Sequence, residues 1–160
     1  MMQACTLDSP LGTLLLVSSG GALTQLIWGA DTIQPQGIEL CQNDVLEQTS
    51  EELKAYFSGS KLGFSVPIAP AGTAFQNAVW RALRKLPHGH TTSYGELASR
   101  VGNPQGARAV GGAVGANPLP IIIPCHRVLR AGNQLGGFSG GLAIKRQLLR
   151  LEAIDWRENA

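Results

Sequence analysis

The chain has 160 residues, 44% hydrophobic and 15% charged, with a formal net charge of +2, enough for one cored domain or two small ones. No run approaches the roughly 18 apolar residues that span a bilayer, and no basic stretch followed by a long apolar one opens the chain, so it reads as soluble and unsecreted. Three cysteines, Cys5, Cys41 and Cys125, without paired CxxC spacing, argue against a disulfide framework or a structural zinc site.

The first 30 residues alternate β-branched and apolar runs with the turn signals Asp8-Ser9-Pro10-Leu11-Gly12 and Ser18-Ser19-Gly20-Gly21. This predicts a three-stranded antiparallel meander with strands near 3–7, 13–18 and 22–28. Residues 29–42 read as a loop. Leu46, Ser50, Leu53 and Phe57 then recur at helical spacing until Gly59. Pro67 and Ala69-Pro70-Ala71-Gly72 read as a linker, which makes residues 1–68 a small α/β domain and residues 69–160 a second domain. Cys5 and Cys41 have no basic neighbour and read as ordinary packing or surface thiols.

Beyond the linker the pattern is helical. Thr73 with Gln76 predicts a capping box, followed by the apolar stripe Phe75, Val79, Ala82, Leu83 and Leu86 that Pro87 ends. His88 and His90 sit in a Pro/Gly loop without a carboxylate or third ligand, which is weak ground for a metal. Ser93 with Glu96 predicts a second helix start, running through Leu97, Ala98 and Val101 to Gly102. After Asn103-Pro104-Gln105-Gly106, Ala107, Val110, Ala113 and Val114 lie on one side of a third helix, the outline of a helix-turn-helix. Gly111, Gly112 and Gly115 each cost that helix about 1 kcal/mol relative to alanine. Small residues there suit close approach to a nucleic-acid backbone, and tight helix packing equally.

Ile121-Ile122-Ile123 leads into Pro124-Cys125-His126-Arg127. A thiol beside a base or a cation gains reactivity, and His126 and Arg127 are those neighbours; the alternative is a buried structural cysteine. The glycine-rich stretch Gly136-Gly137-Phe138-Ser139-Gly140-Gly141 lacks the Gly-Lys-Ser/Thr ending of a phosphate loop and suits a wall around a flat ligand. A final helix near 142–153 packs through Leu142, Leu148, Leu149 and Leu151 and presents Lys145, Arg146 and Arg150 outward. By composition Glu152 reads as a surface acid unless it orients the histidine.

Charge is unevenly spread. Residues 1–53 carry seven acids and no lysine or arginine, whereas residues 54–160 carry all 13 basic residues and four acids. This points to a polyanionic partner for the C-terminal part, the plainer alternative being a solvated basic face.

Taken together, Ser93-Tyr94-Gly95-Glu96-Leu97-Ala98, Gly102-Asn103-Pro104, Ala107 to Ala113, Asn117-Pro118, Ile123-Pro124-Cys125-His126-Arg127-Val128 and Phe138 to Leu142 followed by Lys145 and Glu152 resemble the O6-alkylguanine-DNA alkyltransferase family, densely over 73–152 and loosely before. The resemblance implies an N-terminal ribonuclease-H-like α/β domain and a helical C-terminal domain with a winged helix-turn-helix. It implies single-turnover repair of duplex DNA: the base is flipped, and the alkyl group of O6-alkylguanine, and of O4-alkylthymine, passes irreversibly to Cys125. His126 would take the thiol proton through a water, with Glu152 orienting the imidazole, and Tyr94 would donate to the leaving base. Asn117 would link the DNA-binding helix to the active-site segment, and Arg127 would fix local geometry. Arg108 would fill the place of the flipped base, with Ala107, Gly111, Gly112, Gly115 and Ser93 against DNA; Tyr94, Pro120, Val128, Phe138 and Ser139 would form the lesion pocket.

Two departures stand out: Phe138 where members often have tyrosine and Gln147 where they often have tryptophan. The zinc ligands that some members carry are not matched here, so neither metal nor cofactor is expected. A monomer in the cytoplasm, or in a eukaryotic nucleus, is expected. The competing readings are a non-catalytic lesion-binding module of the alkyltransferase-like type, which Cys125 argues against, and a cysteine hydrolase, whose nucleophile and base usually lie far apart in sequence.

Overall fold

The computed structural model describes residues 2–30 and 38–160; residues 31–37 of the loop expected at 29–42 lie outside them. The chain divides into two compact units, Met1–Ala71 and Gly72–Ala160.

In the first unit, β1 (Met2–Ser9), β2 (Gly12–Ser19) and β3 (Ala22–Trp28) form the expected antiparallel meander, with Leu7 opposite Leu14 and Leu15 opposite Ile27. The sheet is larger than the turn signals indicate. A two-residue strand, β4 (Glu39–Leu40), lies parallel to β1, giving the order β3-β2-β1-β4. Leu14, Leu15, Leu16 and Val17 of β2 are all buried, because both faces of the sheet are covered. Ala4, Leu15, Val17 and Ala30 pack together on one face. On the other lies α1 (Asp44–Phe57), whose buried Leu46 and Leu53 follow the helical spacing read from sequence, and whose N-terminus is capped by Asn43.

The expected linker also needs correction. The Leu23 amide donates to the Pro67 carbonyl at 2.8 Å and the Ala69 amide to the Leu23 carbonyl at 2.9 Å. Residues 67–69 are thus docked on the edge of β3, where a proline is tolerated because Pro67 opens the pairing and contributes only its carbonyl. Glu52 anchors the approach, accepting from the backbone amides of Ser65 and Val66 and from the Ser65 hydroxyl.

The second unit begins with α2 (Ala74–Arg84), opened by the full Thr73/Gln76 capping box. A strand of two residues, β5 (Thr92–Ser93), runs into α3 (Tyr94–Arg100), and α4 (Ala107–Gly115) follows after the turn, completing the helix-turn-helix. Ser93 caps α3 as expected, but the Glu96 carboxylate takes the Thr92 hydroxyl at 3.3 Å. Strand β5 pairs in parallel with β6 (Val128–Leu129), which directly follows a 3-10 turn at Cys125–Arg127. That pairing holds the start of α3 against the cysteine segment. Helix α5 (Leu142–Leu151) closes the unit.

Trp80 is the side chain that secures α4. It is buried, and its indole N–H donates to the Ala113 carbonyl at 2.9 Å. Replacing it by phenylalanine keeps an aromatic ring but leaves that carbonyl without its side-chain donor. The Trp80→Phe variant should lose about 1–3 kcal/mol, read as a lower urea midpoint with unchanged slope; an unaltered midpoint would show that α4 is secured elsewhere.

Candidate active site

Asn117 organises the segment between α4 and the cysteine. Its Nδ2 donates to the Ile123 carbonyl at 2.8 Å, its Oδ1 accepts from the Leu119 amide at 2.9 Å, and the Ile123 amide donates to the Leu119 carbonyl at 2.8 Å. The isoleucine run is therefore a buried, tightly folded loop. Ile121 adopts φ 74°, a conformation that β-branched residues rarely take and that costs of order 1–3 kcal/mol. The loop delivers Cys125, only 3% exposed, to a cavity of about 190 Å³ lined by Tyr94, Gly111, Val114, Gly115, Cys125, Gly137, Phe138 and Ser139.

The thiol is not resting as a thiolate. Burial pushes its pKa up to about 11, against the pull of a hydrogen bond from Asn117, the nearby Lys145 charge and the amides of Cys125 and His126. Arg127, one of the two neighbours expected to activate it, points elsewhere. Its Nε and Nη2 donate to Glu152 at 2.8 and 3.2 Å, and its Nη1 donates to the Leu86 carbonyl at 2.7 Å.

The cation near the thiol is Lys145, which the sequence reading placed outward. Its side chain is fully buried, with Nζ donating to the carbonyls of Val128 at 2.8 Å and Gly137 at 3.0 Å. Burial lowers its pKa to about 8, while the proximity of Cys125 acts the other way. The signal was present in the spacing: Lys145 stands three and four residues before Leu148 and Leu149, on their buried stripe.

Glu152 is buried and not a surface acid. Besides Arg127 it receives the Gly89 amide at 3.0 Å and is hydrogen-bonded to His126 Nε2. The His88-Gly89-His90 loop thus supplies an amide to the carboxylate, and the His90 ring is engaged with the His88 carbonyl at 3.1 Å. Among the described residues no group of three or more His, Cys, Asp or Glu side chains could hold a metal. Burial alone would raise the Glu152 pKa, but the hydrogen bonds and charges of His126 and Arg127, with the Gly89 amide, hold it far below the usual range. His126 is lowered, since burial and the charges of Arg127 and Lys145 outweigh Glu152. A neutral imidazole donating from Nε2 to an ionised carboxylate satisfies both directions and leaves Nδ1 as the basic nitrogen.

Tyr94, half-buried beside the cavity, has its pKa raised by burial and by Cys125 against the opposing effects of Arg130 and the Gly137 backbone, so its phenol stays protonated. Gly136, at φ 73°, sits where a Cβ would meet Arg130 Cγ at 3.2 Å, the Tyr94 hydroxyl at 3.5 Å and Lys145 Nζ at 3.6 Å. On α4, Arg108 is exposed; Gly112 and Gly115 have nothing within 4 Å of an added Cβ, and one added at Gly111 would meet the Tyr94 ring at 3.8 Å. Tight helix packing is therefore not what makes Gly112 and Gly115 small. Ala107 and Ser93 are half-buried at the starts of α4 and α3. Pro120, expected as an apolar wall, and Val128, expected to offer a backbone group, are both buried, and the Val128 carbonyl accepts from Lys145. Gly111, Val114, Gly115 and Gly137 line the cavity beside Tyr94, Phe138 and Ser139.

These features define a cysteine-centred site built against a helix-turn-helix. The family model for the 6-O-methylguanine DNA methyltransferase DNA binding domain matches residues 74–154, and that for its ribonuclease-like domain matches residues 2–70. A methylated-DNA–protein-cysteine methyltransferase of Haemophilus influenzae is 45% identical over 151 residues, which cover 92% of this chain and 84% of that relative. The crystal structure of the Mycobacterium tuberculosis O6-methylguanine methyltransferase is 43% identical with a TM-score of 0.86, over 95% of this chain and 93% of that one. Mycobacterium tuberculosis OGT in complex with DNA is 42% identical with a TM-score of 0.85, over 94% and 92%. The chain belongs to the 6-O-methylguanine DNA methyltransferase family.

The Glu152 cluster has a pH signature. A depressed carboxylate pKa contributes stability that is present above the unfolded value of about 4.3 and is lost as pH falls through the folded value. Glu152→Gln leaves Arg127 buried without its counter-charge and should cost roughly 3–5 kcal/mol at pH 7. Urea midpoints measured from pH 7 down to pH 3 should fall less steeply in the variant; parallel curves would place the acid sensitivity in other carboxylates.

Proposed function

We propose that the chain is a single-turnover DNA repair protein that moves the alkyl group of O6-alkylguanine, and of O4-alkylthymine, in duplex DNA onto Cys125. One observation carries the reading: the buried thiol opens into the same cavity as Gly111, Val114 and Gly115 of the second helix of the helix-turn-helix. A helix that meets DNA there would sit directly above the acceptor sulfur.

A thiol 3% exposed cannot reach a base stacked in a duplex, so the base must leave the stack. Arg108, exposed near the start of α4, fills the gap, while Ala107, the α4 glycines and Ser93 let the chain lie close to the backbone. Inside the cavity Phe138 gives an apolar wall and Ser139 a polar rim. Proton removal comes first: His126 Nδ1 takes the Cys125 proton through a water, and Glu152 stabilises the imidazolium. Asn117 and Lys145 hold the resulting thiolate. The sulfur attacks the saturated alkyl carbon; the S–C bond forms as the C–O bond breaks, and the electron pair passes to the base. Tyr94, kept protonated, donates to the base as it gains charge.

The product is a thioether, which water does not hydrolyse readily, and the neutral hydroxyls of Tyr94 and Ser139 at the cavity are too weakly nucleophilic to take the alkyl group back from sulfur. Each molecule acts once. The same reading has the protein working as a monomer in the cytoplasm, or in the nucleus of a eukaryotic host, with duplex DNA as its partner.

Incubation with an oligonucleotide carrying O6-methylguanine should add a single methyl group to the Cys125 peptide, never exceeding one per protein by intact mass. Unmodified protein that still binds the lesion tightly would overturn the reading, as would many turnovers per molecule. Arg108→Ala should slow repair of duplex DNA by ten-fold or more, a loss of roughly 1.4 kcal/mol or greater, while reaction with free O6-benzylguanine stays within about two-fold; equal losses on both substrates would remove Arg108 from base flipping.

A further inference from the structure

Two thiols of the first unit stand outside this chemistry, and the strand register brings them together. The parallel pairing of β1 with β4 sets Gln3 opposite Glu39 and Ala4 opposite Leu40. It continues one step further, because the Cys41 amide donates to the Ala4 carbonyl at 2.9 Å. In a parallel ladder that bond places Cys41 opposite Cys5, with both side chains on the same face of the sheet. The α1 side is that face: Cys5 Sγ lies 3.9 Å from Ser50 Oγ of α1, and two residues past Cys41 the Asn43 side chain donates to Gln3 Oε1 at 2.7 Å. Adjacent strands run roughly 4.8 Å apart, inside the roughly 4.4–6.8 Å Cα separation that disulfides span. Both thiols are free, Cys5 buried and Cys41 half-buried.

We infer that Cys5 and Cys41 are a reactive dithiol that hydrogen peroxide closes into an intramolecular disulfide. Cys41, the more accessible, attacks first: its sulfur bonds to one peroxide oxygen, the O–O bond breaks, and a sulfenic acid and water result. Cys5 then attacks the Cys41 sulfur; the S–S bond forms, the S–O bond breaks, and the departing hydroxide leaves as water with the Cys5 proton. Two thiols are oxidised and one hydrogen peroxide is reduced to two waters. The order follows from accessibility, and burial raises the Cys5 pKa in the same sense. Because β4 ends at Leu40, Cys41 sits where the chain leaves the ladder and can shift to meet the shorter Cβ separation that a disulfide requires. The bond would fasten the short edge strand to β1 and would open again under thiol reductants.

The test treats the full chain with hydrogen peroxide, alkylates remaining thiols under denaturing conditions and maps peptides without reduction. The expected result is a linked Cys5–Cys41 peptide pair, two hydrogens lighter than its parts, reversed by dithiothreitol, absent from Cys41→Ser and retained by Cys125→Ser. Cys41 oxidised to sulfinic or sulfonic acid while Cys5 remains alkylatable would overturn the inference. A link that joins two chains, or one that disappears in Cys125→Ser, would do so equally.

Discussion

A single buried carboxylate gathers the catalytic half of the molecule. Glu152, at the end of α5, draws in His126 and Arg127 from the cysteine turn and the Gly89 amide from the loop after α2. Two chain segments far apart in sequence converge on the two oxygen atoms of a third. Removing an acid from water is costly, and only a full set of donors compensates for it. That requirement fixes the imidazole tautomer as a by-product of folding. Arg127 completes the arrangement by reaching past the carboxylate to the Leu86 carbonyl, so the guanidinium bridges α5 and the end of α2. The role of the arginine is architectural, and the positive charge that the sulfur feels comes from Lys145.

Much of this was legible in the residues. Helix starts were written in Thr73 and Ser93, whose hydroxyls cap α2 and α3, and the meander was written in its turn signals. The Pro-Cys-His-Arg tetrapeptide pointed to a reactive thiol because few structural settings ask for those four types in a row. What escaped was decided by tertiary contact. The two residues of β4 carry no periodic signal, and Pro67 to Ala69 reads as linker because proline and alanine say nothing of a docking edge. Lys145 reads as outward by its charge, whereas its position on the α5 stripe marks it as buried. Arg127 was assigned to the thiol by adjacency, but successive residues in a 3-10 turn point about a third of a turn apart, which sends Cys125 and Arg127 to different surroundings.

The small residues of α4 divide by cause. Val110 and Ala113 face the other helices, and Trp80 ties the Ala113 carbonyl to α2. Gly112 and Gly115 leave open space where a Cβ would stand, Gly115 at the lining of the cysteine cavity, whereas a Cβ on Gly111 would touch the Tyr94 ring. A recognition helix poor in intrinsic helical preference is thus held by one indole and an apolar stripe, which leaves its outer surface at liberty to match a partner.

Gly136 gives the glycine-rich loop a different meaning from flexibility. Its missing side chain is the space through which Arg130, the Tyr94 hydroxyl and the Lys145 ammonium approach one another. A methyl group there would press on the Arg130 side chain and come into contact with the other two, on a backbone conformation that already disfavours it. The composition of this loop is therefore a form of crowding control: the reactive groups set the volume that remains, and the chain fits through it by carrying nothing.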